Sequence, residues 1–178
     1  MNKIYHISFD YAYALADVKA SLHGKDSMEL CSERPELINE FLYDWVTNES
    51  ENIPDFCIIM TELLGCKAEV LDNIKGLLTS ITTVNIKIGI CDYSIFINVP
   101  TIKDALNIKK SKVSRFADGD IMSVDEPVFL PNKYPMLFKI EEQPGTYYCT
   151  EDFKAYMDSS EYTGLLFSEC NVKSKSWF

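Results

Sequence analysis

The sequence predicts an α+β fold in which about three main helices pack against a mostly antiparallel sheet of roughly five to seven strands. In some segments apolar residues recur every three or four positions, which is the spacing of an amphipathic helix. In other segments apolar and polar residues alternate, which is the spacing of a half-buried strand. The content of 47% apolar and 25% charged residues is that of an ordinary globular chain.

The first third of the chain predicts one strand and one helix. Lys3–Phe9 alternates and indicates an opening strand, whereas Tyr11–Leu22 has no clean period and leaves strand and helix both open. A helix is predicted to begin at Ser32, with Pro35 in its first turn, where a missing N–H does no harm. Its apolar stripe is formed by Leu37, Ile38, Phe41, Leu42, Trp45 and Val46.

The most polar stretch of the chain is Asn48–Pro54. Polar stretches of this kind are typical of loops and of boundaries between compact regions. The sequence therefore predicts an N-terminal lobe over residues 1–54, within the same globule, and a main body over residues 55–178.

The centre of the chain predicts a helix followed by a β-hairpin. Thr61 is placed to cap a helix that ends near Leu78. The helical stripe consists of Leu63, Leu64, Val70, Leu71, Ile74, Leu77 and Leu78. Alternating runs then follow over Ile81–Ile90 and Tyr93–Val99, and Gly89 near the bend favours a hairpin turn.

The last third predicts mainly strands and one further helix. Asp118-Gly119-Asp120 is predicted to be a hairpin turn. The predicted strands are Val113–Ala117, Ile121–Leu130, Met136–Ile140, Tyr147–Cys149 and, after a break at Gly164, Leu165–Glu169. Thr150 is predicted to cap the helix, and Glu151 and Asp152 in its first turn complement the helix dipole.

Charge and cysteine usage exclude several classes of function. The net charge is −10, whereas phosphate recognition needs clustered Lys and Arg, so nucleic-acid binding is not expected. No apolar run approaches the length of about 20 residues that a membrane-spanning helix needs, and no signal peptide is expected. The six cysteines are scattered without metal-ligand spacing, so the sequence predicts reduced thiols in the cytoplasm, no metal and no cofactor.

One arrangement could carry catalysis. His6 could activate a cysteine nucleophile, Cys91 or Cys149, which would make the protein a thiol hydrolase. The alternative is a strand histidine and cysteines that pack as small apolar side chains. No other nucleophile, phosphate-binding or metal motif is present, so no catalytic residue is assigned.

Four stretches together resemble a family of bacterial immunity proteins, which protect cells that carry polymorphic toxins. They are Asp55–Leu78, Asn98–Asn107 with Ser111, Phe116–Phe129 followed by Leu137-Phe138-Lys139, and Thr150–Met157 followed by Thr163–Phe167. The likeness covers about two thirds of the chain, roughly residues 55–170, and Asn107 stands where the family often has Asp.

The resemblance implies a non-catalytic protein that binds a cognate toxin domain and neutralises it. A non-catalytic protein-binding or regulatory module is the alternative that the residues leave open, and the oligomeric state is open as well. An acidic inhibitor would meet its partner through acidic loops. The candidate partner-binding residues are Glu49, Glu51 and Asp55 in one loop, and Asp118, Asp120, Asp125 and Glu126 in the other.

Overall fold

The computed structural model describes residues 3–30, 34–46, 52–60 and 62–173. The strands are β1 (Ile4–Phe9), β2 (Leu15–Ser21), β3 (Phe41–Val46), β4 (Phe56–Ile59), β5 (Leu63–Lys67), β6 (Thr82–Ile88), β7 (Cys91–Ile97), β8 (Thr101–Ile102), β9 (Lys112–Arg115), β10 (Ile121–Glu126), β11 (Val128–Phe129), β12 (Leu137–Ile140), β13 (Gln143–Thr150) and β14 (Leu165–Val172). The α-helices are α1 (Pro35–Ile38), α2 (Ala68–Ile74) and α3 (Glu151–Ser159).

The α+β class predicted from the sequence is wrong, because the protein is mostly β. Among the described residues, 48% lie in strands and 14% in helices, and these strands form three sheets. The three α-helices of the described residues contain four, seven and nine residues, too few to be the main layer of the fold. Two segments that carry a helical stripe in the sequence each contain a strand as well as a short helix.

The first of these segments is the predicted helix from Ser32 to Val46. Its beginning lies outside the described residues, α1 covers only Pro35–Ile38, and the chain then continues as β3. In β3, Phe41 and Tyr43 point to the core and Leu42 points outward, which is the alternation of a strand. Bulky aromatic residues such as these favour strands, and pairing with β2 outweighs the helical spacing.

The second segment is the predicted helix from Thr61 to Leu78. Thr61 lies outside the described residues, Leu63–Lys67 forms β5, and the helix α2 occupies only Ala68–Ile74. β5 lies between β4 and β7 and is buried on both faces from Leu63 to Cys66. A strand buried on both faces has a continuous apolar run, which cannot be distinguished from part of a helical stripe by period alone.

The predicted hairpins and the terminal elements are confirmed. β6 and β7 pair antiparallel around a turn at Gly89, and β9 and β10 pair antiparallel around Asp118–Asp120. The opening strand, the helix after Thr150 and the last strand correspond to β1, α3 and β14. The hydroxyl of Thr150, however, is buried without a hydrogen-bond partner, so the predicted side-chain cap is not formed.

The chain folds into two compact units that are each assembled from separate segments. The first contains residues Met1–Ser8, Pro100–Ser159 and Phe167–Phe178, and the second contains Phe9–Val99 and Ser160–Leu166. The lobe boundary predicted near residue 54 falls within the second unit.

The first unit is built on the sheet β11-β14-β1-β13-β12-β8. β1 and β12 pair antiparallel with β13, whereas β11 and β8 add in parallel at the two edges. Its core is rich in aromatic rings, with Phe129, Phe138 and Tyr148 at centroid separations of 5.1–6.0 Å. The hairpin β9–β10 forms a sheet of its own, and its Val113 and Val124 pack against this core.

The second unit is built on the sheet β2-β3-β6-β7-β5-β4. β7 lies near its centre, and Tyr93, Ile95 and Phe96 of this strand are fully buried. Gly65 of β5 permits close packing against β7, since a Cβ at this position would lie 2.7 Å from the Ile95 side chain and 2.8 Å from the Ser94 carbonyl oxygen. A larger residue here would push β5 away from β7.

Gly164 allows the segment Ser160–Leu166 to lie against β4 in the second unit. A Cβ at Gly164 would be 2.1 Å from the backbone oxygen of Phe56 and 2.6 Å from the Cβ of Pro54. Gly164 also has a φ of +100°, a backbone conformation that residues other than glycine rarely adopt. Both the space and the backbone angle therefore require glycine.

We expect Gly164→Ala to lower the free energy of unfolding by roughly 2–4 kcal/mol, because the methyl group would collide with the Phe56 backbone. Urea denaturation followed by fluorescence measures this. Gly76→Ala is the control, since its Cβ would meet no atom within 4 Å, and its effect should stay within about 0.5 kcal/mol. Equal stability of the two variants would contradict the close approach at Gly164.

Candidate functional site

The first predicted partner-binding loop does not form a free acidic surface at its one described residue. Glu49 and Glu51 lie outside the described residues. Asp55 precedes β4, and its carboxylate is engaged within the chain: Oδ2 accepts hydrogen bonds from the backbone N (3.0 Å) and the hydroxyl (2.8 Å) of Thr163. Oδ1 accepts one from Nζ of Lys67 at 3.0 Å.

These contacts define the Asp55 clamp, formed by Asp55, Lys67 and Thr163. Burial alone would raise the pKa of Asp55, but the hydrogen bonds from Lys67 and Thr163 and the charge of Lys67 outweigh it and lower that pKa below its usual range. The side chains of Asp55 and Lys67 are only 22% and 24% exposed. Asp55 therefore holds the segment Ser160–Leu166 against β4 as an ionised, structural residue.

A second polar motif of the resembling stretches also has a structural role. The Ser111 hydroxyl donates to the carbonyl oxygen of Asn107 (3.0 Å) and accepts from the backbone N–H of Val128 (3.0 Å). The Asn107 backbone N–H donates to the Val128 carbonyl oxygen at 2.7 Å. These hydrogen bonds attach the loop before the β9–β10 hairpin to β11, the strand after the hairpin.

The four acidic residues of the second predicted loop all lie on the β9–β10 hairpin. Asp118 and Asp120 lie in its turn, where Asp118 Oδ1 accepts from the backbone N–H of Asp120 at 3.1 Å. Asp125 accepts from the hydroxyls of Ser114 (3.3 Å) and Ser123 (3.1 Å). Glu126 forms an exposed ion pair with Lys112, at 3.3 Å.

Two exposed apolar side chains on the same hairpin were missed by the sequence analysis. Phe116 at the turn is 54% exposed and Met122 in β10 is 55% exposed. The strand alternation did not reveal Met122, because the pairing of β10 is irregular between Ile121 and Ser123 and shifts the faces of the strand. The position of Phe116 two residues before Asp118-Gly119 was the available signal that it lies at an exposed end.

The structure brings a histidine and a thiol together, but not the predicted pair. Cys149 lies opposite Tyr5, one residue from the pairing of His6 with Tyr148, so it points to the other face of the sheet. Cys91 lies in the second unit. The thiol that shares a cavity with His6 is instead Cys170 of β14, which the sequence analysis did not pair with it.

This cavity, in the first unit, has a volume of about 270 Å³. Its lining includes His6, Glu126, Gln143, Tyr148, Glu169 and Cys170. The Tyr148 hydroxyl donates to Oε1 of Gln143 at 3.1 Å, and the carboxylate of Glu169 pairs with Lys3 at 2.8 Å. The polar groups of its wall are thus largely paired with one another or with neighbouring lysines.

The thiol in this cavity is not activated. Burial raises the pKa of Cys170 to about 11, although the backbone N–H of His6 acts in the opposite direction. The Cys170 thiol donates to the Ser168 carbonyl oxygen at 3.7 Å. Burial also lowers the pKa of His6, so the imidazole is neutral at pH 7 and supplies no cation that would stabilise a thiolate.

Two further classes of site are absent from the described residues. Within those ranges no group of three or more His, Cys, Asp or Glu side chains is placed to hold a metal ion. Nor does any helix there have the length and apolar character required to cross a membrane.

The sequence matches no protein-family model, and a search of curated proteins gave no significant match.

We expect Asp55→Asn to lower the free energy of unfolding by about 1.5–3 kcal/mol at pH 7, because Lys67 loses its charged acceptor. The pKa of Asp55 is lowered in the folded state, so its contribution is complete above the unfolded value of about 4 and is lost as the pH falls through the folded value. Urea titrations from about pH 3 to about pH 7 cover both sides of that unfolded pKa. They should show the free energies of unfolding of wild type and Asp55→Asn converging in acid.

Asp92→Asn is the control for this experiment, since Asp92 forms an exposed ion pair with Lys87, and such pairs contribute little. A difference between wild type and Asp55→Asn that stays constant down to pH 3 would show that ionised Asp55 is not the stabilising species.

We expect Cys170 to react with iodoacetamide roughly 100-fold more slowly than glutathione at pH 7, because a thiol with a pKa of about 11 contains far less thiolate than one near 8.5. Mass spectrometry of the alkylated peptide over time measures the rate, which should rise with pH and stay unchanged in His6→Gln. Alkylation as fast as that of glutathione, and dependent on His6, would instead indicate an activated nucleophile.

Proposed function

We propose that this protein is an immunity protein that binds a cognate toxin domain of a bacterial polymorphic toxin system and neutralises it without catalysing a reaction. The resemblance of the stretches within residues 55–170 suggests this function. It acts in the cytoplasm in this proposal, in agreement with the free thiols of Cys57, Cys66, Cys91, Cys149 and Cys170.

The observation that carries the proposal is the state of the His6–Cys170 cavity. The sequence leaves two kinds of function open, thiol catalysis and occupation of another macromolecule's surface. Cys170 stays protonated at neutral pH and its thiol is directed to the Ser168 carbonyl, so the cavity lacks the thiolate that catalysis needs. Surface occupation is therefore the better supported of the two.

The roles of the motif residues support the same choice. Asp55, Thr163, Asn107 and Ser111 are engaged in hydrogen bonds that hold strands and loops of this chain. An inhibitor that acts by binding needs a rigid scaffold and a complementary surface, and it needs no reactive group.

The proposal includes that the toxin is encoded beside this protein. We therefore expect co-expression of this protein to restore growth to cells that produce the toxin domain encoded by the adjacent gene, and the two proteins to co-purify. The matched variant is His6→Gln/Cys170→Ser, which removes both candidate catalytic groups and should protect cells as well as the wild type does.

Two results would overturn the proposal. The first is a neighbouring product that is harmless, or that remains toxic in the presence of wild-type protein, which would favour a regulatory module that binds another partner. The second is a folded His6→Gln/Cys170→Ser variant that binds the toxin domain normally but no longer protects, since only a catalytic role would separate the two activities.

A further inference from the structure

The β9–β10 hairpin is a sheet of two strands that is separate from both larger sheets. One of its faces is anchored, because Val124 is buried and Val113 and Ile121 pack against the aromatic core of the first unit. An isolated two-stranded hairpin is marginally stable in water, so this anchoring gives the hairpin a defined position. Among the described residues, no third strand pairs with this hairpin.

The turn region exposes apolar surface that the fold does not use. All residues of the segment Arg115–Asp120 are exposed, including Phe116, and Met122 is exposed just beyond it. Phe and Met are enriched in the buried centres of protein–protein interfaces. Two large apolar side chains on one small hairpin therefore provide anchors for a partner.

The charged side chains of the hairpin itself are predominantly acidic. Residues 112–126 contain two basic and four acidic side chains. Lys112 pairs with Glu126, and Nη1 of Arg115 donates to the Gly119 carbonyl oxygen at 2.6 Å. Within the described residues no basic side chain forms an ion pair with Asp118 or Asp120.

We propose that the turn of the β9–β10 hairpin is the docking element for the toxin, and that it fits a basic surface of the toxin that surrounds an apolar depression. This inference rests on the proposed function. Phe116 and Met122 enter the depression, whereas Asp118 and Asp120 face lysine or arginine side chains at its rim. The negative charges accelerate the encounter, and the apolar side chains slow dissociation.

A second copy of this chain is a poorer occupant of the same surface. The chain carries a net charge of −10, and two hairpin turns that met across a two-fold axis would place like charges together. A partner of opposite charge avoids this repulsion. The complementary charge therefore favours a basic protein over self-association.

The test measures binding kinetics of the full-length protein with the purified toxin domain of the adjacent gene. We expect Phe116→Ala/Met122→Ala to weaken affinity at least about tenfold, chiefly through faster dissociation. We expect Asp118→Asn/Asp120→Asn to slow association by about threefold to tenfold at low salt, and to reduce its salt dependence. The amide oxygen introduced by Asp118→Asn can still accept the hydrogen bond of the turn, so the hairpin is retained.

Matched control variants lie in the second unit. Ile90→Ala removes a side chain that is 94% exposed, and Asp72→Asn/Asp92→Asn removes the same charge as the hairpin variant from two exposed ion pairs. Both should bind as the wild type does. Thermal unfolding of every variant shows that the fold is preserved.

The outcomes separate this inference from the proposed function. Wild-type protein that neither binds nor neutralises the toxin domain overturns both. Wild-type protein that neutralises the toxin while both hairpin variants match it in affinity and rate overturns only the hairpin assignment. Equal losses in the hairpin charge variant and in Asp72→Asn/Asp92→Asn would show that net charge, and not this docking element, governs the encounter.

Discussion

The position of the segment Ser160–Leu166 in the second unit depends on the close approach of Gly164 to Phe56. No side chain fits between the two backbones, and the neighbouring Thr163 places its N–H and hydroxyl on the carboxylate of Asp55. Lys67 neutralises that carboxylate from β5, so one charge ties three separate stretches of chain together. The side chains are mostly shielded from water, which makes this network stronger than an ordinary surface ion pair.

This network gives a structural role to residues on which the resemblance to a family rests. Asp55-Phe56 and Thr163-Gly164 are among the residues on which the resemblance rests, and the structure gives each of them a role in holding the backbone. Asn107 and Ser111 act in the same way before the β9–β10 hairpin. The pattern at these positions therefore reflects how the chain folds, and it does not by itself mark a binding surface.

The sequence predicted the hairpins well because their signals are local. Alternation on both sides of a glycine-containing turn identified β6–β7 and β9–β10 directly. Prediction from the local pattern failed for β3 and β5, because their apolar residues also satisfy a helical period. Non-local pairing with β2, β4 and β7 decides their structure. The acidic side chains of the second loop lie on one hairpin because they are neighbours in sequence. The proximity of His6 to Cys170 could not be predicted, because it depends on which strands become neighbours.

The path of the chain passes back and forth between the two units. Each unit combines segments that are distant in sequence, so no single stretch of the gene encodes either unit alone. The β9–β10 hairpin, by contrast, is encoded by one short contiguous stretch, residues 112–126. Exchanging residues 112–126 as one block would therefore replace the hairpin and leave unchanged every segment that passes from one unit to the other.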